Sequence, residues 1–213
     1  KPFEKWFSDA KIFVKKTPKY YAVLSLAKGG VIKVFDESGP LYSDSGLLLH
    51  SDDGDTLVSH LVDDTFVTEV DVAEGRYASF GSMSKRRYPL PSPVKQMAFR
   101  GMNISIGRLG PNVVRGILQK VLITGKPRTD VVFRRSFEFS EDAITIHNEV
   151  DASATSQKFD SMATGSDATS IYVANSNNFQ ESVLLPWNDL DGHIPTLNRE
   201  RKVVFDIEVD LDF

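Results

Sequence analysis

Short runs of Val, Ile, Leu, Phe, Tyr and Thr, each closed by Gly, Asp, Ser or Pro, dominate the N-terminal part of the chain. They predict strands over 11–15, 20–26, 31–35, 47–50, 56–60, 66–72 and 76–83. The stretch 66–72 alternates cleanly, with Phe66, Thr68, Val70 and Val72 on one face and Val67, Glu69 and Asp71 on the other. That is the pattern of a half-buried strand. Between 20–26 and 31–35, Ala27-Lys28-Gly29-Gly30 reads as a turn in which glycine supplies positive φ and lysine keeps the tip in water.

The pattern changes after Pro89, Pro91 and Pro93. Val113, Val114, Ile117, Leu118, Val121 and Leu122 form one helical stripe, opened by Pro111 and closed by Gly125. A shorter helix is expected to start at Ser92. Strands return over 131–139, 144–150, 171–174, 183–185 and 202–210, with Ser140-Glu141-Asp142 turning the first hairpin. The small, polar stretch 151–170 reads as an exposed loop. In the last strand Val203, Phe205, Ile207, Val209 and Leu211 oppose Val204, Asp206, Glu208 and Asp210, which suits a sheet edge or a face turned to water. Regularly spaced short strands predict an all-β fold, a large antiparallel sandwich with one or two short helices inserted around 93–124.

Bulk properties narrow the chemistry. A chain of 213 residues with 41% hydrophobic side chains can build a proper core. A net charge of -4 argues against a general nucleic-acid binder, although a local basic patch can still hold a polyanion. The absence of cysteine excludes disulfides, thiolate catalysis and zinc–thiolate sites. No apolar run approaches the roughly 20 residues of a membrane-spanning helix, and no signal-peptide pattern precedes Trp6. Beginning at Lys1, the chain reads as a processed protein or as a domain of a longer one.

Several phrases carry a family resemblance. DAKIFVKKTPKYYAVLSLAKGGVIKVFDESGPLYSDSGLLL, then GRYASF, then a helical insert containing Pro and Phe-Arg, then LITGKPRTDVVFRRSFEFSEDAITIHNEVD follow one another in this order. Over most of residues 8–150 the chain resembles the C-terminal β-sandwich of heparinase II/III-like polysaccharide lyases. The resemblance implies a supersandwich-like domain over 1–213, packed in the full-length protein on a helical toroid that this stretch does not include. It also implies a periplasmic or secreted protein whose cleft takes acidic, uronate-containing polysaccharide such as glycosaminoglycan. Cleavage there is a β-elimination: the C6 carboxylate is neutralised, the C5 proton is removed, and the departing O4 is protonated. Tyr or His performs the proton transfers. The sandwich alone is expected to be inactive.

On that reading His50 and Tyr42 are the catalytic candidates. His50 closes the run Leu47-Leu48-Leu49 and precedes Ser51-Asp52-Asp53-Gly54, so it stands at a strand end beside carboxylates. Lys85, Arg86, Arg87 and Arg100 are the candidate polyanion contacts, because guanidinium forks pair with carboxylates and sulfates. Each has a plainer reading as a strand-end or solvated residue. His60 with His50, Asp52 and Asp63 matches no metal-site spacing, and neither metal nor cofactor is expected. His147 falls on the polar side of its strand, and His193 lies in a loop whose aspartates lack EF-hand spacing. No P-loop, dinucleotide fingerprint, Gly-x-Ser-x-Gly elbow or His-Glu-x-x-His occurs. Two other classes stay open: a non-catalytic carbohydrate-binding or structural module, and a stand-alone enzyme in which His50, Tyr42 and Arg86 converge.

Overall fold

The computed structural model describes residues 1–60, 65–86, 97, 100, 101, 128–165 and 186–211. Two antiparallel sheets form an all-β sandwich, as the spacing of apolar runs predicts. The smaller sheet is a five-stranded meander of β1 (Phe3–Phe7), β2 (Ile12–Lys16), β3 (Tyr21–Ser25), β4 (Val31–Phe35) and β5 (Pro40–Asp44). The chain then crosses through Ser45 and Gly46 into the larger sheet. That sheet contains β6 (Leu47–Ser51), β7 (Thr56–Val58), β8 (Val67–Asp71), β9 (Arg76–Arg86), β10 (Arg128–Phe139), β11 (Ala143–Asp151), β12 (Phe159–Gly165), β13 (Pro186–Asp189) and β14 (Lys202–Asp210). Its order is β13-β12-β6-β7-β9-β10-β11-β14, with β8 also pairing the first half of β9.

Period-2 alternation determines what each strand buries. In β10, Val131, Phe133, Arg135 and Phe137 are buried while Val132, Arg134 and Glu138 are exposed. β14 sits at the sheet edge with its acidic residues outward, as its alternation predicts. Pairing sets the inward residues in rows across the large sheet. One row runs Tyr77, Phe137, Ile146, Ile207, and another runs Gly81, Phe133, Val150, Val203. The first joins Phe13, Leu24, Ile32 and Val34 of the small sheet in one apolar core. The second joins Leu49, Leu57, Phe159 and Met162 in another, closed by Ile194 and Leu197. Those two residues lie on the short helix α1 (Ile194–Glu200), which begins with Pro at its N-terminus and ends at Arg201 in the left-handed conformation. Between the two apolar rows lies a polar one: Ser79, Arg135, Asn148.

The hinge between β3 and β4 rests on that polar row. Leu26–Lys28 forms a 3-10 turn capped by Gly29 at φ 72, and Gly30 follows at φ 83. Ser79 Oγ donates to the Leu26 carbonyl at 3.0 Å, and Arg135 donates to the Gly30 carbonyl at 2.8 Å. A side chain at Gly29 would collide with the Ser59 carbonyl, and one at Gly30 would come within 2.7 Å of the Phe137 ring. Both glycines thus serve positive φ and close approach together.

Two expectations need revision or fall elsewhere. Of the stretch 151–170, residues 159–165 are not loop but strand, because β12 runs there between β6 and β13, while 166–170 lie outside the described residues. A register shift between Phe159 and Ser161 breaks the alternation, which hides the strand from a period-2 reading. The helical stripe of 111–125 and the strands expected over 171–174 and 183–185 lie outside the described residues. Of the insert around 93–124, Met97, Arg100 and Gly101 are described, in helical conformation.

Replacing Gly29 by Ala combines left-handed strain with a backbone collision, and is expected to cost about 3 kcal/mol. Gly54 has φ 77 and nothing within 4 Å of an added Cβ. Gly54→Ala is therefore expected to cost only about 1 kcal/mol. Urea unfolding midpoints of the two variants check the difference.

Candidate functional site

The most organised polar cluster is buried. Arg135 and Asp44 both have fully covered side chains and form a two-pronged ion pair, Nη2 to Oδ2 at 2.6 Å and Nη1 to Oδ1 at 3.1 Å. Arg135 Nε donates to Asn148 Oδ1 at 2.8 Å, and the Gly30 carbonyl accepts from Nη1. Asp44 Oδ1 also accepts from the Gly46 amide at 2.7 Å, so the carboxylate braces the crossover between sheets. Removing these charges from water costs several kcal/mol per ion, and only near-complete hydrogen bonding offsets it.

Tyr42 belongs to this cluster. Its hydroxyl donates to Asp44 Oδ2 at 3.3 Å and accepts from Asn188 Nδ2 at 3.2 Å, while Asn188 also reaches Thr164. Burial, and next the Asp44 carboxylate, hold the phenol neutral well above the ordinary tyrosine range. Tyr20 is raised similarly, first by burial and then by Glu4. Tyr77, stacked on Phe13, is pushed up to about 12 by burial, then by Glu4 and Asp71.

His50 lies elsewhere. It is exposed on β6, on the side of the strand opposite the core residue Leu49, and its Nδ1 lies 3.0 Å from Thr56 Oγ1. Pairing makes a row of Ser161, His50, Thr56 and Arg86 across four strands. The structure thus brings the backbone positions of His50 and Arg86 into one row, two strand spacings or about 10 Å apart. It does not bring Tyr42 onto that face. Lys85 pairs with Asp55. Arg100 is exposed, and Arg87 lies outside the described residues. His147 is half exposed with Nδ1 2.7 Å from Asp206, and His193 stacks on Phe205 at 4.5 Å. Among the described residues no group of three or more His, Asp or Glu is placed to hold a metal ion, and no helix is long and apolar enough to cross a membrane.

A charged groove of about 340 Å³ opens where β8, β9 and β10 meet, lined by Glu69, Asp71, Arg76, Arg134, Ser136 and Glu138. Arg134 pairs with Glu69 at 2.6 Å, and Arg76 approaches Glu138 at 3.6 Å. Sequence reading passed over these residues, although the alternation in β8 and β10 places Glu69, Asp71, Arg134 and Glu138 outward. Neither the family models, nor the curated proteins, nor the solved structures yield a match to this chain.

Arg135→Ala leaves Asp44 buried and unpaired, and a loss of about 3–5 kcal/mol is expected. Arg134→Ala, one strand position away but on the exposed face, is expected to lose no more than about 1 kcal/mol. Chemical denaturation of both variants separates the two roles.

The raised phenols set the alkaline limit of the fold. Unfolded tyrosine ionises near pH 10, before the buried phenols do. The unfolded chain therefore binds fewer protons in this range, and stability, complete below about pH 10, falls as pH rises through the folded values. Phenolate absorbance during base titration is expected to show a late, unfolding-coupled component, reduced in Tyr42→Phe.

Proposed function

We propose that this chain is the β-sandwich part of a heparinase II/III-like polysaccharide lyase, helping a helical toroid of the same full-length protein to form a cleft for uronate-containing polysaccharide. The observation that supports the reading most is strand pairing that sets the exposed His50 in one row with the backbone positions of Thr56 and Arg86 on a two-sheet framework. Thr56 holds one ring nitrogen of His50, which orients the ring and leaves Nε2 for a ligand. A histidine so held suits a proton transfer at C5 or O4, and an arginine in the same row suits the C6 carboxylate of a neighbouring uronate. Tyr42, locked neutral beside Asp44, supports the framework in this reading. The toroid supplies the remaining wall and groups.

Retention of the chain on immobilised heparin, chondroitin sulfate and alginate tests the proposal, together with absorbance of the unsaturated product. Retention that falls with salt, without product, is expected, and Arg86→Ala should weaken it. Product formation by the chain alone would place a complete site on the sandwich, with His50→Ala the variant to test next. Neither retention nor product would favour a structural module.

A further inference from the structure

The charged groove on the larger sheet has an internal order that strand pairing makes explicit. Ala78 and Ser136 are paired neighbours on β9 and β10 and belong to its lining. On β9, Arg76 and Phe80 stand two residues to either side of Ala78, on the same face. Arg134 starts from β10, but its guanidinium lies 5.4 Å from the centre of the Phe80 ring and bonds Glu69 on β8 at 2.6 Å. Its charge is thereby carried off β10 and over β9. Two guanidiniums thus border the groove around Ala78, one from each side. Beside Ser136 the sign is reversed. Glu138 stands two residues along β10, 3.6 Å from Arg76 Nε and 3.9 Å from His147 Nε2, both beyond hydrogen-bond length. Arg76 and Glu138 keep 66% and 52% of their side chains in solvent, so each retains hydrogen-bonding capacity for a ligand.

We propose that this groove binds a small zwitterion of the amino-acid class, its carboxylate over Ala78 between the two guanidiniums and its ammonium over Ser136 against Glu138. The inference rests on the groove and is independent of the lyase reading. The sign pattern selects the ligand. A simple anion held by Arg76 and Arg134 also meets the carboxylates of Glu69, Asp71 and Glu138, and a simple cation at Glu138 meets Arg76 beside it. A ligand carrying both charges satisfies both halves. Glu69 is engaged by Arg134 and Asp71 by the Ala73 and Glu74 amides, which makes Glu138 the acceptor for the ammonium, with the Ser136 hydroxyl beside it. The two halves are one strand spacing apart, about 5 Å, so the best ligand separates its charges by a similar distance. A γ-amino acid does so, whereas an α-amino acid holds them closer. The volume of about 340 Å³ suits a small molecule.

The test titrates the whole chain, at constant salt, with γ-aminobutyrate and with two molecules that carry one of its charges each, butyrate and butylamine. Amide NMR shifts locate binding and titration calorimetry measures it. γ-Aminobutyrate is expected to shift amides around Ala78 and Ser136 with a dissociation constant on the order of 1 mM, about tenfold tighter than either control. Arg76→Gln and Glu138→Gln should each weaken it about tenfold, while Arg76→Lys retains most of the affinity. The Arg76–Glu138 pair is exposed, so the urea midpoints of these variants should stay near that of the unaltered chain, showing that they fold. Equal binding of butyrate or butylamine, shifts away from the groove, unchanged affinity in both Gln variants, or no binding up to about 50 mM would each overturn the inference. Polysaccharide retention is read separately, so either proposal can fail without the other.

Discussion

A single buried ion pair joins the parts of this fold. Arg135 comes from the middle of the large sheet, Asp44 from the last residue of the small one, and their contact sits where the chain passes between them. Apolar contacts between two sheets are non-directional and allow sliding or rotation. A guanidinium that must satisfy a carboxylate, an amide oxygen and a main-chain carbonyl permits one arrangement. Specificity of register is thus the contribution this pair makes, with net stability secondary because of the desolvation cost.

Its position explains the two cores. The polar row Ser79, Arg135, Asn148 separates an apolar cluster shared with the small sheet from one closed by α1. The hinge Lys28-Gly29-Gly30 lies against this row through the carbonyls of Leu26 and Gly30. The hinge is therefore part of the framework: its glycines let the main chain approach Ser59 and Phe137 closely enough for those bonds to form.

Much of this was legible in the sequence. Apolar runs and their punctuation identify β2, β3, β4, β6, β7, β8, β9, β10, β11 and β14, and the two-sheet architecture follows from their spacing. Even the burial of Arg135 was written there, since it shares parity with Phe133 and Phe137 while Arg134 does not. Charge argued the other way, and a buried arginine is recognisable only once a carboxylate from a distant strand is known to meet it. β12 escaped notice for a different reason, because its register shift and small residues mask alternation. Likewise Tyr42 and His50 are near in sequence, yet the crossover at Ser45 and Gly46 sends them to different sheets and different faces. The row of His50 with Arg86 arises only through pairing of β6, β7 and β9.

The most direct test of this account is native-state hydrogen exchange in Arg135→Met, compared with the unaltered chain. If the pair fixes one sheet on the other, the amides of β3, β4 and the Asp44–Gly46 crossover should exchange through a new, lower-energy opening while β10 and β11 retain most of their protection. Equal loss of protection in both sheets, or no change in either, would contradict it.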